Sequence, residues 1–127
     1  MRRNCKLASI VAALTLSLLG CGGNEAEHIA QVTTGGDIHR GAVAIERHGC
    51  GSCHIIPGIS GAVGLAGPPL TGIASRIYVA GVLQNTPSNM MRWIENPQAV
   101  DEKTVMPNVG LTHQEARDIA GYLYTLK

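Results

Sequence analysis

The chain has 127 residues, enough for one small domain, with 10 Lys+Arg against 9 Asp+Glu and a formal net charge of +1. So even a balance lacks the basic footprint of a nucleic-acid-binding protein and excludes that class. There is no phenylalanine, one tryptophan and three tyrosines beside 16 glycines and six prolines, and so aromatic-poor a domain needs a disulfide, a metal or a cofactor to complete its core.

The first element in chain order is a basic start, with Arg2, Arg3 and Lys6, followed by the apolar run "LASIVAALTLSLLG" from Leu7 to Gly20. That run is shorter than the roughly 20 apolar residues of a membrane-spanning helix and has the layout of an export signal. It ends in "LLGC", Leu18 to Cys21, which resembles the lipobox of bacterial lipoproteins. The resemblance implies cleavage before Cys21, lipidation of that cysteine and stable anchoring in a membrane of the cell envelope, facing the periplasm. Residues 1–20 are then the signal, and Cys5 leaves with it. Loss of Arg2, Arg3 and Lys6 leaves 7 basic against 9 acidic residues, a mature charge near −2. Residues 21–36 read as the lipidated N-terminus and a flexible tether, since "GGNEAEHIAQVTTGG" is polar and bounded by glycine pairs. Residues 37–127 form the folded domain.

From Asp37 onward the pattern is helical. Asp37 is placed to cap a helix in which Ile38, Ala42 and Ile45 recur at helical spacing, ending near Gly49. A short helical stretch is expected within Ala74–Leu83. Thr86-Pro87 reads as a cap with proline in the first turn, Met90, Trp93 and Ile94 as its apolar positions, and Pro97 as the stop. "THQE", Thr112 to Glu115, is a capping-box pattern before Ala116, Ile119, Ala120, Leu123 and Leu126, which share one helical face. No strand alternation stands out. The expected class is all-α, with three to five helices and long connections.

The chemistry sits in "RHGCGSCHIIPG", Arg47 to Gly58. A thioredoxin-like use of Cys50 and Cys53 requires a βαβ context that the pattern lacks. A zinc site requires four ligands at workable spacing, and His39, His48 and His113 form no pair. The remaining reading is C-x-x-C-H, the attachment site of c-type haem: both thiols bond the haem vinyl groups and His54 binds the iron. For the sixth ligand the candidates are Met90, Met91, Met106 and His113. Met90 and Met91 lie inside an expected helix and His113 at a helix start, whereas Met106 lies in a loop able to reach the distal face.

At these residues the chain resembles the class I cytochromes c over about Asp37 to Lys127. "GPPLTGIASR" from Gly67 to Arg76, "WIENP" from Trp93 to Pro97 and "MP" at Met106 follow the family's order. "NTPSNMMRWIENPQAV" carries a narrower likeness to the haem domain fused to subunit II of bacterial haem–copper oxidases. The resemblance implies a small fold wrapped around one covalent haem. In that family the ligand methionine stands where Met106 does, and the carbonyl of Pro68 receives the histidine's second ring N–H. It places Arg76 against a haem propionate and packs Trp93 on the haem; for Tyr78, a propionate hydrogen bond and plain packing both stay open. Gly41 and Tyr122 mark a close crossing of the first and last helices.

With both axial positions filled by protein, an electron carrier is expected rather than an enzyme. The alternatives are a sensor or peroxidase-like domain with a displaceable methionine, and a thiol–disulfide lipoprotein. The expected partners are membrane redox proteins: a terminal oxidase downstream, and a quinol-oxidising complex or dehydrogenase upstream. Replacing Cys21 tests the anchor directly. Cys21→Ser is expected to abolish fatty-acid incorporation and release or misprocess the protein while haem attachment persists; normal cleavage and membrane retention in that variant would rule lipidation out.

Overall fold

In a computed structural model that describes residues 24–127, the capping signals act where the sequence places them. Four helices are present among these residues: α1 (Asn24–Thr34), α2 (Ile38–Arg47), α3 (Pro87–Glu95) and α4 (His113–Leu123). The Asp37 carboxylate accepts from the N–H groups of His39 and Arg40, both at 2.9 Å, and starts α2. The Thr86 hydroxyl accepts from Asn89 N–H at 3.2 Å and starts α3, with Pro87 in the first turn. At α4 the box is complete: Thr112 Oγ1 accepts from Glu115 N–H while Glu115 accepts from Thr112 N–H at 2.8 Å.

Helices α2 and α4 cross with their backbones in contact. A Cβ on Gly41 would overlap the carbonyl of Asp118 and come within 3.1 Å of Tyr122 Cβ, so only glycine permits this approach. Beside the crossing, Asp118 is 3 % exposed. Its carboxylate accepts from Asp37 N–H at 2.8 Å, Arg40 Nε at 2.8 Å and Gln114 Nε2 at 2.9 Å. Burial pushes its pKa up, but these hydrogen bonds outweigh burial and hold it below the ordinary value. Further along, Arg47 and His48 at the end of α2 both reach Glu115 on α4. Helix α3 closes the core with Met90, 1 % exposed, and Ile94. Burying a side chain of that size contributes about 1.5–3 kcal/mol relative to leaving it in water.

Two expectations fail here. The stretch read as a flexible tether is helical from Asn24 to Thr34 and packs on α4. Its polar composition conceals an apolar stripe: Ala26, Ala30 and Thr34 recur every four residues, and Ala30 is 2 % exposed. Thr34 is satisfied locally, donating to Ala30 O at 2.8 Å and accepting from Gly36 N–H at 3.1 Å. The second failure lies in Ala74–Leu83, where one 3-10 turn (Ile73–Ser75) is followed by an antiparallel hairpin of β1 (Tyr78–Val79) and β2 (Leu83–Gln84). Tyr78, Val79 and Val82 favour extended backbone. Ala80 and Gly81 both take positive φ, 55° and 73°, which supplies the tight turn.

The contacts at Glu115 make stability depend on acid. Hydrogen bonds from Thr112 N–H, His48 and the Thr112 hydroxyl, with the Arg47 charge, hold its carboxyl at about 2 against an ordinary 4.5. A carboxyl depressed in the folded state stabilises fully above its unfolded value and loses that contribution as pH falls through the folded one. Glu115→Gln is therefore expected to lower the urea midpoint of the haem-loaded protein at pH 7. The gap should narrow below about 4.5 and be largely closed near 2, as followed by helical circular dichroism.

Candidate cofactor site

The elements that leave the core short of aromatic mass enclose a cavity of about 750 Å³, within the roughly 300–1,000 Å³ of small-molecule and cofactor pockets. Ile45 of α2, Met90 and Ile94 of α3, and Ile119 and Leu123 of α4 line it, with Ile56, Leu70, Ile73 and Leu111 from the connections. Cys50, Cys53, His54, Pro68, Arg76, Tyr78, Trp93 and Met106 all face the same cavity. Eight residues spread over 57 positions of chain thus line one cavity.

Local backbone geometry presents the motif. Helix α2 ends at Arg47, Gly49 beyond it takes φ 69°, and Cys50–Ser52 form a 3-10 turn. Positions three apart eclipse in such a turn, so Cys50 and Cys53 project to one side. Both thiols are free and partly buried. Burial pushes the Cys50 thiol up, with Cys53 adding to the effect. A redox nucleophile needs the opposite shift. Among the described residues no group of three or more His, Cys, Asp or Glu side chains is arranged to hold a metal ion, so the zinc alternative lacks a ligand set there.

His54 is fixed through one ring nitrogen. Nδ1 lies 2.7 Å from the carbonyl of Pro68, and a carbonyl only accepts, so Nδ1 carries the proton and Nε2 keeps its lone pair. The loop that provides this carbonyl is tied to the motif: Gly67 N–H donates to Cys53 O at 2.7 Å and Leu70 N–H to Ile55 O at 2.8 Å. Arg76 spans the same loop, donating through one guanidinium nitrogen to Pro69 O at 2.5 Å and Thr71 O at 3.1 Å. It lines the cavity, and its hydrogen bonds here go to backbone.

Met106 arrives on the loop between α3 and α4. Gln98 Nε2 donates to its carbonyl at 2.7 Å and its N–H donates to Thr104 Oγ1 at 3.2 Å, leaving the side chain to line the cavity. Sequence reasoning missed Gln98 and Thr104, which no residue-type pattern distinguishes from loop polar residues. It also missed Asn85, whose amide donates to Ile73 O and Arg76 O at 2.8 Å and accepts from Tyr124 OH at 2.9 Å. His48 faces the cavity too, with its Nε2 3.1 Å from Glu115.

The donor set fits a covalent haem. Two free thiols project to one side, an imidazole offers an unshared ring nitrogen, and the enclosing surface is mostly aliphatic. The fit has a tight point: a Cβ on Gly67 would overlap the His54 ring, lying 2.7 Å from Nδ1. Gly67→Ala is expected to displace the ring from Pro68 and cut the yield of haem-loaded protein severalfold, read as covalent haem per protein; an unchanged yield would contradict the packing argument.

Comparison with known proteins agrees with this geometry. Residues 38–127 match the model of the Cytochrome c family. Over 90 residues the chain is 31 % identical to cytochrome c oxidase subunit 2 of Alkalihalophilus pseudofirmus, a match covering 70 % of this chain and 25 % of that protein. The chain therefore aligns with about a quarter of that relative's length. No solved structure matches it significantly. With the family model spanning the cavity-forming elements, the chain belongs to the cytochrome c family and bears haem c through Cys50 and Cys53.

Proposed function

We propose that this protein is a lipid-anchored electron carrier of the bacterial cell envelope, passing single electrons along a respiratory chain towards a terminal oxidase. The observation that carries the carrier assignment is the fixed His54, whose Nε2 is left free at an aliphatic cavity that Met106 also lines. The bound haem would supply a one-electron iron couple. In this reading His54 and Met106 would hold the haem iron. Pro68 holds the imidazole tautomer and orientation, as acceptors behind metal-bound histidines do. Met106 brings a soft thioether, which favours the ferrous state and raises the potential. Met90 is the competing sulfur, but it is a core residue of α3 at 1 % exposure, whereas Met106 lies on a loop and is only partly buried at the edge of the core. With His54 and Met106 both holding the iron, the resting site would offer no open place for a substrate, which favours a carrier over a sensor or peroxidase-like domain that first has to displace its methionine.

Attachment to the membrane rests on lipid at Cys21, since among the described residues no helix is long and apolar enough to cross one. The oxidase partner rests on the likeness to an oxidase subunit, with a quinol-oxidising complex or dehydrogenase supplying electrons upstream. A mature charge near −2 offers little long-range steering, so docking is brief and mostly apolar.

Two measurements test this reading. Met106→Ala should abolish the sulfur-to-iron absorption band, lower the potential and admit carbon monoxide, while Met90→Leu and Met91→Leu keep the band. In its own membranes the reduced protein should be reoxidised by oxygen in a cyanide-sensitive way, with a shallow dependence of rate on salt. Reoxidation unaffected by cyanide would remove the cyanide-sensitive oxidase from the pathway.

A further inference from the structure

Helix α1 has two distinct sides. Ala30 and Thr34 are buried against the rest of the domain, while Ile29 and Val32 are 46 % and 72 % exposed. At 3.6 residues per turn Ile29 and Val32 stand together on the outward side, with exposed Glu25 and His28 beside them, and away from buried Ala30 and Thr34. The C-terminal end of α1 is seated on α4: Gly36 lies against the backbone of Arg117 and Asp118, and Gly121 against Thr34 and Gly36. Along α4, Arg117 and Gly121 fall on the side away from Ile119 and Leu123, which line the cavity. The first helix among the described residues is thus docked behind α4, with α4 between it and the cofactor site.

Three peptide units separate Cys21 from Asn24, a reach of at most about 11 Å. We infer that α1 is a rigid stalk which rests its Ile29–Val32 face on the lipid surface and holds the cavity side of α4 turned away from it. This rests on the proposed lipidation of Cys21 and replaces free search on a long tether with one preferred pose. The occupant of the exposed face is the bilayer surface because the anchor leaves so little chain to span. The contact is apolar rather than electrostatic: α1 carries Glu25 and Glu27 in its first turn and no lysine or arginine. Anionic headgroups have nothing to attract there.

The test uses the purified full-length haem-loaded protein in phosphatidylcholine vesicles at low copy number, with single thiols introduced by Val32→Cys or Val82→Cys. Val82 sits on the hairpin at the cavity side and is 55 % exposed. A bulky, membrane-impermeant maleimide should modify the thiol at 32 severalfold more slowly in vesicles than in detergent, and the thiol at 82 equally fast in both. A ten-residue Gly/Ser insertion between Gly23 and Asn24 should abolish the protection at 32 while the protein stays vesicle-bound. Equal rates at 32 in vesicles and detergent, with lipid on Cys21 verified by mass, would overturn the stalk and leave the anchor standing. Protection that survives the insertion would also overturn it, as would protection lost on dilution, which would mark contact between copies. A mature protein without lipid on Cys21 would remove both the anchor and the stalk.

Discussion

The contact between the backbones of α2 and α4 is the constraint from which the other placements follow. Gly41 lets the two helices touch, and once they do, the polar groups at the crossing are cut off from water. Asp118 answers that need by gathering an N-cap amide, a guanidinium and a side-chain amide on one carboxylate. Leaving such a group unpaired costs several kcal/mol, so the network specifies the crossing more than it strengthens it. Among the described residues no buried side-chain nitrogen or oxygen lacks a partner. With the two helices pinned, α4 has one face for α1 and another for the cavity.

The two halves of the cofactor site are built by different means. On the His54 side, the Cys50–Leu70 segment folds back on the motif through successive backbone hydrogen bonds, and Gly67 fits against the imidazole. On the Met106 side, the chain from Asp101 to Leu111 has no regular element and relies on Gln98 and Thr104. Covalent attachment at the first half and positional control at the second is a division suited to a ligand bond that one side must guarantee and the other must tune.

What could be read from the sequence was whatever local chemistry decides. Asp37, Thr86 and the Thr112–Glu115 box set helix starts by hydrogen bonds within four residues, and the structure starts its helices there. The C-x-x-C-H run is legible by its own chemistry and Met106 by its loop position, whereas Pro68 and Trp93 join the site only through the resemblance to the class I cytochromes c. Helix α1 was hidden because its stability comes from α4 rather than from its own composition. The hairpin was hidden because two-residue strands leave no periodicity to detect. Gln98 and Asn85 escaped because their roles lie in backbone acceptors that only the fold brings near.

The Met106 loop has a further consequence. Val105 is 92 % exposed and Gly110 has no neighbour on its Cα side, so opening this segment uncovers little apolar surface and breaks few hydrogen bonds. Segments of that kind exchange their amides and open at a fraction of the free energy of the whole domain. Warming or mild denaturant should therefore open the Met106 segment as a separate cooperative unit, while the helical crossing and the C-x-x-C-H half remain native. Stability in this protein is then two quantities, one for keeping this loop closed and a larger one for keeping the chain folded.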